Sequence, residues 1–180
     1  MDPPQAEFLA ENLPISISPN FSANEIFLIS GDFGPFNPLQ PVNVPLWLGI
    51  NLKQRQKCRI NPPEWLSVEQ LDQLKSDEAT SDLFTSLPSK HFFEMANLLL
   101  TNASDDIPDC DQVRMLVKDL ADIRAAKLRR GIDEMISQQQ IYATVTNLTS
   151  LEIINIRPFL TAALTHVSTL QSLAAQQRSD

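Results

Sequence analysis

The side chains able to do chemistry are few and scattered. Asp105, Asp106, Asp109 and Asp111 make the densest carboxylate cluster, the residue type that general acid–base work requires. Their place just ahead of a helical pattern makes capping and dipole charge the simpler role. His91 and His166 are the two histidines, and the two cysteines, Cys58 and Cys110, stand 52 positions apart. Zinc takes about four Cys or His ligands, or three and an open position, and neither histidine has a partner at ligand spacing. Gly31 and Gly34 lie in a proline-rich turn, not in a phosphate-cradling loop. No nucleophile elbow, P-loop or dinucleotide fingerprint is present, so no catalytic, cofactor-binding or metal-ligating residue is assigned.

Positive charge concentrates in one place. Lys53, Arg55, Lys57 and Arg59 are every lysine and arginine before Pro63. Such a run can follow a phosphate backbone, meet an acidic partner, or end a helix as solvated charge; no aromatic side chains interleave with it to stack bases. The 22 acidic against 14 basic side chains, net charge -8 and pI near 4.7, carry the wrong sign for a chain whose main task is neutralising phosphates. Farther on, Arg114, Lys118, Arg124, Lys127, Arg129 and Arg130 share a segment with Asp119, Asp122, Asp133 and Glu134, the pattern of a solvated or interfacial mixed-charge face.

The elements that carry these residues fall into two compositions. Ten of the 13 prolines and three of the four glycines lie at or before Pro63. In that stretch Ile15 and Ile17 alternate with serines and Glu25 to Ile29 is β-prone, which predicts two or three short strands. The run from Gly31 to Pro38 reads as an ordered, aromatic-rich turn. Pro45 ahead of Leu46-Trp47-Leu48 predicts a helix over 45–58 with the cations toward its end. The alternative is a strand, on which the four cations would line one face.

Beyond Pro62-Pro63 the periodicity is helical. Ser67 to Gln70 is a capping-box pattern opening a short helix, and 76–88 reads as a polar loop. Ser89 can cap a helix carrying Phe92, Met95, Ala96, Leu99 and Leu100 that stops near Asn102. Asp109 or Asp111 can cap the longest helix, 111–136, with Val113, Leu116, Val117, Leu120, Ile123, Leu128, Ile132, Met135 and Ile136 at intervals of mainly three and four. Gly131 there marks a kink or a close contact. Thr149-Ser150-Leu151-Glu152 is a second capping box, and Pro158 opens a last amphipathic segment through Leu160, Leu164, Val167, Leu170 and Leu173. The expected fold is mainly α: a small β-rich domain at 1–63 ending in a helix, a larger helical bundle domain at 64–175, and a frayed tail at 176–180.

Apolar residues at 43% and charged residues at 20% describe a globular chain. Its longest purely apolar runs are four residues or fewer, against the ~20 that span a bilayer. Met1-Asp2-Pro3-Pro4 lacks the basic and apolar regions of a signal peptide. Reduced thiols in a cytosolic or nuclear protein are expected, and the Asn147-Leu148-Thr149 sequon is taken as fortuitous. Long amphipathic helices beside a β-module of about 60 residues point to a helical interaction protein, because such helices often find their second apolar face on another subunit. Leu116, Leu120, Ile123, Leu128 and Ile132 are the expected interface, with Lys53, Arg55, Lys57 and Arg59 as a basic patch for a partner or DNA.

Longer stretches carry a resemblance. Pro19-Asn20-Phe21-Ser22, the turn Gly31 to Pro38, the block Val44 to Arg59 closed by Pro62-Pro63-Glu64-Trp65, Leu98 to Asp105, and Leu116 to Leu120 through Lys127-Leu128-Arg129 closely resemble the second-subunit family of the eukaryotic GINS complex. The resemblance implies one chain of a four-chain assembly of paralogues, with the β-rich domain first. It implies a non-enzymatic structural clamp and activator within the replicative helicase, beside the minichromosome-maintenance ring, which hydrolyses the ATP, and its cell-division-cycle cofactor. Nuclear location, no cofactor, an indirect link to replicative polymerases, and weak or indirect DNA contact follow. A single-stranded nucleic-acid binding module using 53–59, and a hydrolase built on the aspartates, are the competing functions.

Overall fold

A computed structural model of the chain describes residues 2–137 and 146–177, without the side chains of Met135, Ile136, His166, Val167 and 170–177. The expected apolar positions Met135, Ile136, Val167, Leu170 and Leu173, and the tail at 178–180, therefore lie outside the described part.

The first element is a helix that composition did not reveal, α1 (Pro3–Glu11). Two prolines occupy its first positions, where a missing N–H leaves nothing unpaired, and the Gln5 side chain accepts the Asp2 N–H at 3.0 Å. Ala6 and Ala10, one turn apart, are completely buried and let α1 lie close against its neighbours. Strand β1 (Pro14–Pro19) follows, with Ile15 and Ile17 inward as the alternation predicts. It is the centre of an antiparallel sheet ordered β4-β1-β5, where β4 is Val42–Pro45 and β5 is Cys58–Ile60. A separate hairpin pairs β2 (Ile26–Leu28) with β3 (Gly31–Phe33), so the stretch read as pure turn supplies a strand, and the region holds five strands among the described residues instead of two or three.

The helix expected over 45–58 is shorter. Helix α2 runs Leu46–Gln54, and Gln56 then takes a left-handed φ of 57°. The Lys57 N–H returns to the Leu52 carbonyl at 2.9 Å and the Gln56 N–H to that of Lys53 at 2.8 Å, the double closure that ends helices decisively. From there Cys58 and Ile60 turn inward on β5 while Arg59 faces out, so of the four cations that the strand alternative would line up on one face, only Arg59 lies on a strand. Gly49 lies against the sheet: a Cβ there would meet methyls of Ile15 and Ile17, each at 3.3 Å.

Two further boundaries differ from expectation, the end of α3 and the start of α6. Ser67 does cap α3, accepting the Gln70 N–H at 3.4 Å, but α3 spans Val68–Thr80 and takes in the start of the stretch read as a loop. Helix α4 (Phe92–Asn102) ends as predicted and buries Phe92, Met95, Ala96, Leu99 and Leu100. Helix α5 covers Cys110–Ser137, and among the described residues nothing lies within contact distance of a Cβ placed on Gly131. Helix α6 spans Ser150–Gln177 with Pro158 inside it. Its start is set instead by the second capping box: Glu152 accepts from Thr149 N–H at 2.8 Å and returns its own N–H to Thr149 Oγ1 at 3.4 Å.

One core runs through both halves. Ile17, Val44 and Leu46 from the β-rich part join Leu71, Leu99, Val113 and Leu120 from the helical part. Trp65 and Phe92 pack at the seam, ring centres 4.7 Å apart.

Candidate subunit interface

The aspartate cluster has structural work. Asp106 Oδ2 receives the Lys53 ammonium at 2.7 Å and the Ile60 N–H at 2.8 Å, tying α2 and β5 to the turn ahead of α5. Asp109 takes a left-handed φ of 49° and its carbonyl accepts the Val113 N–H, so it starts α5 through its backbone. Cys58 is buried, and burial, reinforced by Asp106, raises its thiol pKa to about 11, the opposite of a reactive thiolate. Among the described residues no three His, Cys, Asp or Glu side chains gather as metal ligands.

A buried knot of charge went unseen in the sequence. Arg124 and Lys127, expected on a solvated or interfacial face, are 0% and 9% exposed within this chain, and Glu78, expected in a loop, is 0% exposed. Arg124 meets Glu78 Oε2 at 2.8 Å, both Glu152 oxygens at 2.7 and 3.0 Å, and the Asn147 carbonyl at 2.7 Å. Lys127 gives Glu78 Oε1 a bond of 2.5 Å and reaches the Ser81 and Leu83 carbonyls. Thr85 donates its hydroxyl and N–H to Glu78 Oε2, and the Phe84 ring lies 5.0 Å from the guanidinium carbon. Burial works to raise the Glu78 pKa, but hydrogen bonds from Lys127 and Thr85 and the charge of Arg124 outweigh it and leave the group below the usual carboxylate range. Burial likewise disfavours charged Arg124, yet Glu152 and Glu78 raise its pKa overall. The pairing thus favours the ionised forms of Glu78 and Arg124 and joins α3, the following loop, α5 and the start of α6. Helical spacing offered one clue: Arg124 and Lys127 lie on the same side as Leu120 and Val117.

Of the basic patch, Lys53 is absorbed by Asp106. Arg55, Lys57 and Arg59 are exposed, and among the described residues none of the three forms an ion pair. They surround the α2–β5 junction as a cationic spot on an acidic protein.

The predicted apolar stripe divides. Leu120 and Ile132 are buried within this chain, whereas Leu116, Ile123 and Leu128 are half-buried. The larger unsatisfied surface belongs to α6, which in 28 residues carries Glu152, Arg157 and His166 as its only titratable side chains. None of its described side chains is buried, and Ile153 and Phe159 are 49% and 55% exposed. Between α4, α5 and α6 lies an open groove of about 480 Å³ lined by Phe93, Leu100, Val117, Ala125 and Leu128.

A β-rich module built into a helical bundle, with a long helix none of whose described side chains is buried, is the architecture of a protein class that packs against other chains. Comparison with known proteins gives the family. Residues 2–61 match the PSF2 N-terminal domain and residues 65–171 the GINS complex protein helical bundle domain, and the chain belongs to the PSF2 family of GINS proteins. It is 50% identical to the human DNA replication complex GINS protein PSF2, covering 100% of both chains. Its identity to the Xenopus laevis protein of the same name is 49% over 96% of this chain and 93% of the other. The Schizosaccharomyces pombe relative is 35% identical over 87% and 83%.

Proposed function

We propose that this chain is a non-catalytic, structural subunit of a four-chain GINS complex acting in DNA replication in the nucleus. The observation that carries the proposal is α6: a helix this long and this poor in charge, with no described side chain buried, needs other chains to cover it. Full-length similarity to proteins named as GINS subunits of the DNA replication complex supports the identity of those chains as the three paralogous subunits. Leu116, Ile123 and Leu128 belong to the contact surface, with Leu120 and Ile132 supporting it from beneath. Through the assembled complex the chain meets the minichromosome-maintenance ring and its cell-division-cycle cofactor, and DNA only weakly or indirectly. Arg55, Lys57 and Arg59 serve a protein contact, since net charge -8 opposes a phosphate ligand.

Co-expression with the three co-subunits tests this. One assembly of equimolar mass is expected, together with aggregation of the chain expressed alone. A monodisperse monomer whose melting temperature ignores the co-subunits would overturn it, because binding to the native state must stabilise that state.

A further inference from the structure

A second, smaller cavity of about 300 Å³ lies where α1, α4 and α6 meet, lined by Pro3, Glu7, Glu94, Asn97, Thr101 and Leu151 among others. Glu94 is the anomaly in it. Its side chain is 4% exposed, and among the described residues neither carboxylate oxygen has a hydrogen-bond partner. The imidazole of His91 places Nδ1 3.5 Å from Oε1, and that nitrogen is itself without a hydrogen bond among the described residues. Buried carboxylates elsewhere in this protein are saturated, as Glu78 shows with contacts from Lys127, Arg124 and Thr85. A buried carboxylate without donors is costly to keep, and the donors have to come from outside the fold described.

We propose that this cavity receives a cationic side chain, arginine or lysine, from a co-subunit. Glu7 adds a second carboxylate, and no lysine or arginine lines the space, so its charge is complementary to a cation. The remaining polar groups lining the space are neutral side chains such as Asn97 and Thr101, and His91 is not among its lining; no three His, Cys, Asp or Glu side chains gather there among the described residues, so the donor set suits an N–H cation better than a metal ion. Arginine fits best, because its planar fork can satisfy both Glu94 oxygens at once. The source follows from continuity: Asn97 and Leu151 also line the larger apolar groove between α4, α5 and α6. A partner segment seated in that groove runs past the mouth of the cavity, with its apolar side chains in one and its cation in the other.

The inference rests on the co-subunit reading above, and the experiment separates the two. The assembled complex is prepared with wild-type chain, Glu94→Gln and Glu7→Gln, and exchange of each with isotopically labelled wild-type chain is timed by mass spectrometry. Each arginine and lysine of the co-subunits is then changed to methionine. Glu94→Gln is expected to speed exchange at least tenfold, and Glu7→Gln less. One partner cation should give a similar acceleration that does not add to that of Glu94→Gln, the signature of direct coupling. Unchanged exchange in both glutamine variants, or no co-subunit cation coupled to either position, overturns the proposal. Should Glu94→Gln impair folding, the partner scan against the exposed Glu7→Gln still decides. If the wild-type chain forms no complex at all, the co-subunit reading fails instead.

Discussion

Glu78 is the residue on which α3, α5 and the intervening loop close, and removing its charge leaves Arg124 and Lys127 as buried cations. Breaking such a cluster by deleting one member costs about 3–5 kcal/mol. Glu78→Gln should therefore lower the thermal midpoint of the complex by several degrees, read by differential scanning calorimetry, with less loss in Lys75→Gln, whose partner Asp119 is solvent-exposed. The Glu78 pKa is depressed in the folded state, so its contribution is fully present above the unfolded value of about 4.3. It disappears as pH falls through the lower folded value. Denaturation midpoints followed downward from pH 6 should drop steeply below about pH 4, and Glu78→Gln should flatten that limb; an identical acid limb in the variant would remove Glu78 from the account.

At the scale of the element, the α2–β5 junction shows what pattern could and could not reveal. Leu46 to Leu52 declared a helix and the alternating cations hinted at a strand, yet the switch depends on a glutamine at positive φ, which no residue preference announces. The end of α3 was hidden for a related reason: Glu78 looks like loop polarity until Arg124, 46 positions away, arrives to bury it. Pro158 was misleading because proline is commonest at helix starts, while here the Thr149 box acts first. Replacing Gln56 by glycine should raise stability by about 1 kcal/mol, since glycine takes the left-handed conformation without a Cβ penalty; an unchanged urea midpoint would contradict the geometry. Changing Arg55, Lys57 and Arg59 together to glutamine should leave the fold intact and weaken a partner contact. The slope of log DNA affinity against log salt should not move. A flattening by about 0.7 per lost contact, with assembly unaffected, would instead mark a phosphate track.

For the whole molecule, the distinction is between apolar groups that hold this chain together and those left for others. Periodicity placed both on amphipathic helices but could not separate them, because a stripe broad enough for two neighbours looks the same whichever chain supplies the second. Leu120 is completely buried here, so Leu120→Asp should unfold the chain itself, at a cost of several kcal/mol for an unpaired buried charge. Phe159→Asp, on the outer face of α6, should leave circular dichroism unchanged and abolish equimolar assembly. Equal behaviour of the two variants in both measurements would mean that α6 is not a contact surface.

The bond between Asp106 and the Ile60 N–H reaches further than one residue pair. Strand β5 lies at the margin of its sheet, and the Ile60 N–H points away from β1, the direction in which a stray strand would add. A carboxylate from the helical half blocks that donor and, with Lys53, places charge along the margin, a safeguard against edge-to-edge association. During synthesis the sheet emerges before residue 106, so the margin stays open to other nascent chains until the helical half is made. Asp106→Ala should accordingly raise the fraction of insoluble product at high translation rates more than it lowers the melting temperature of the finished complex.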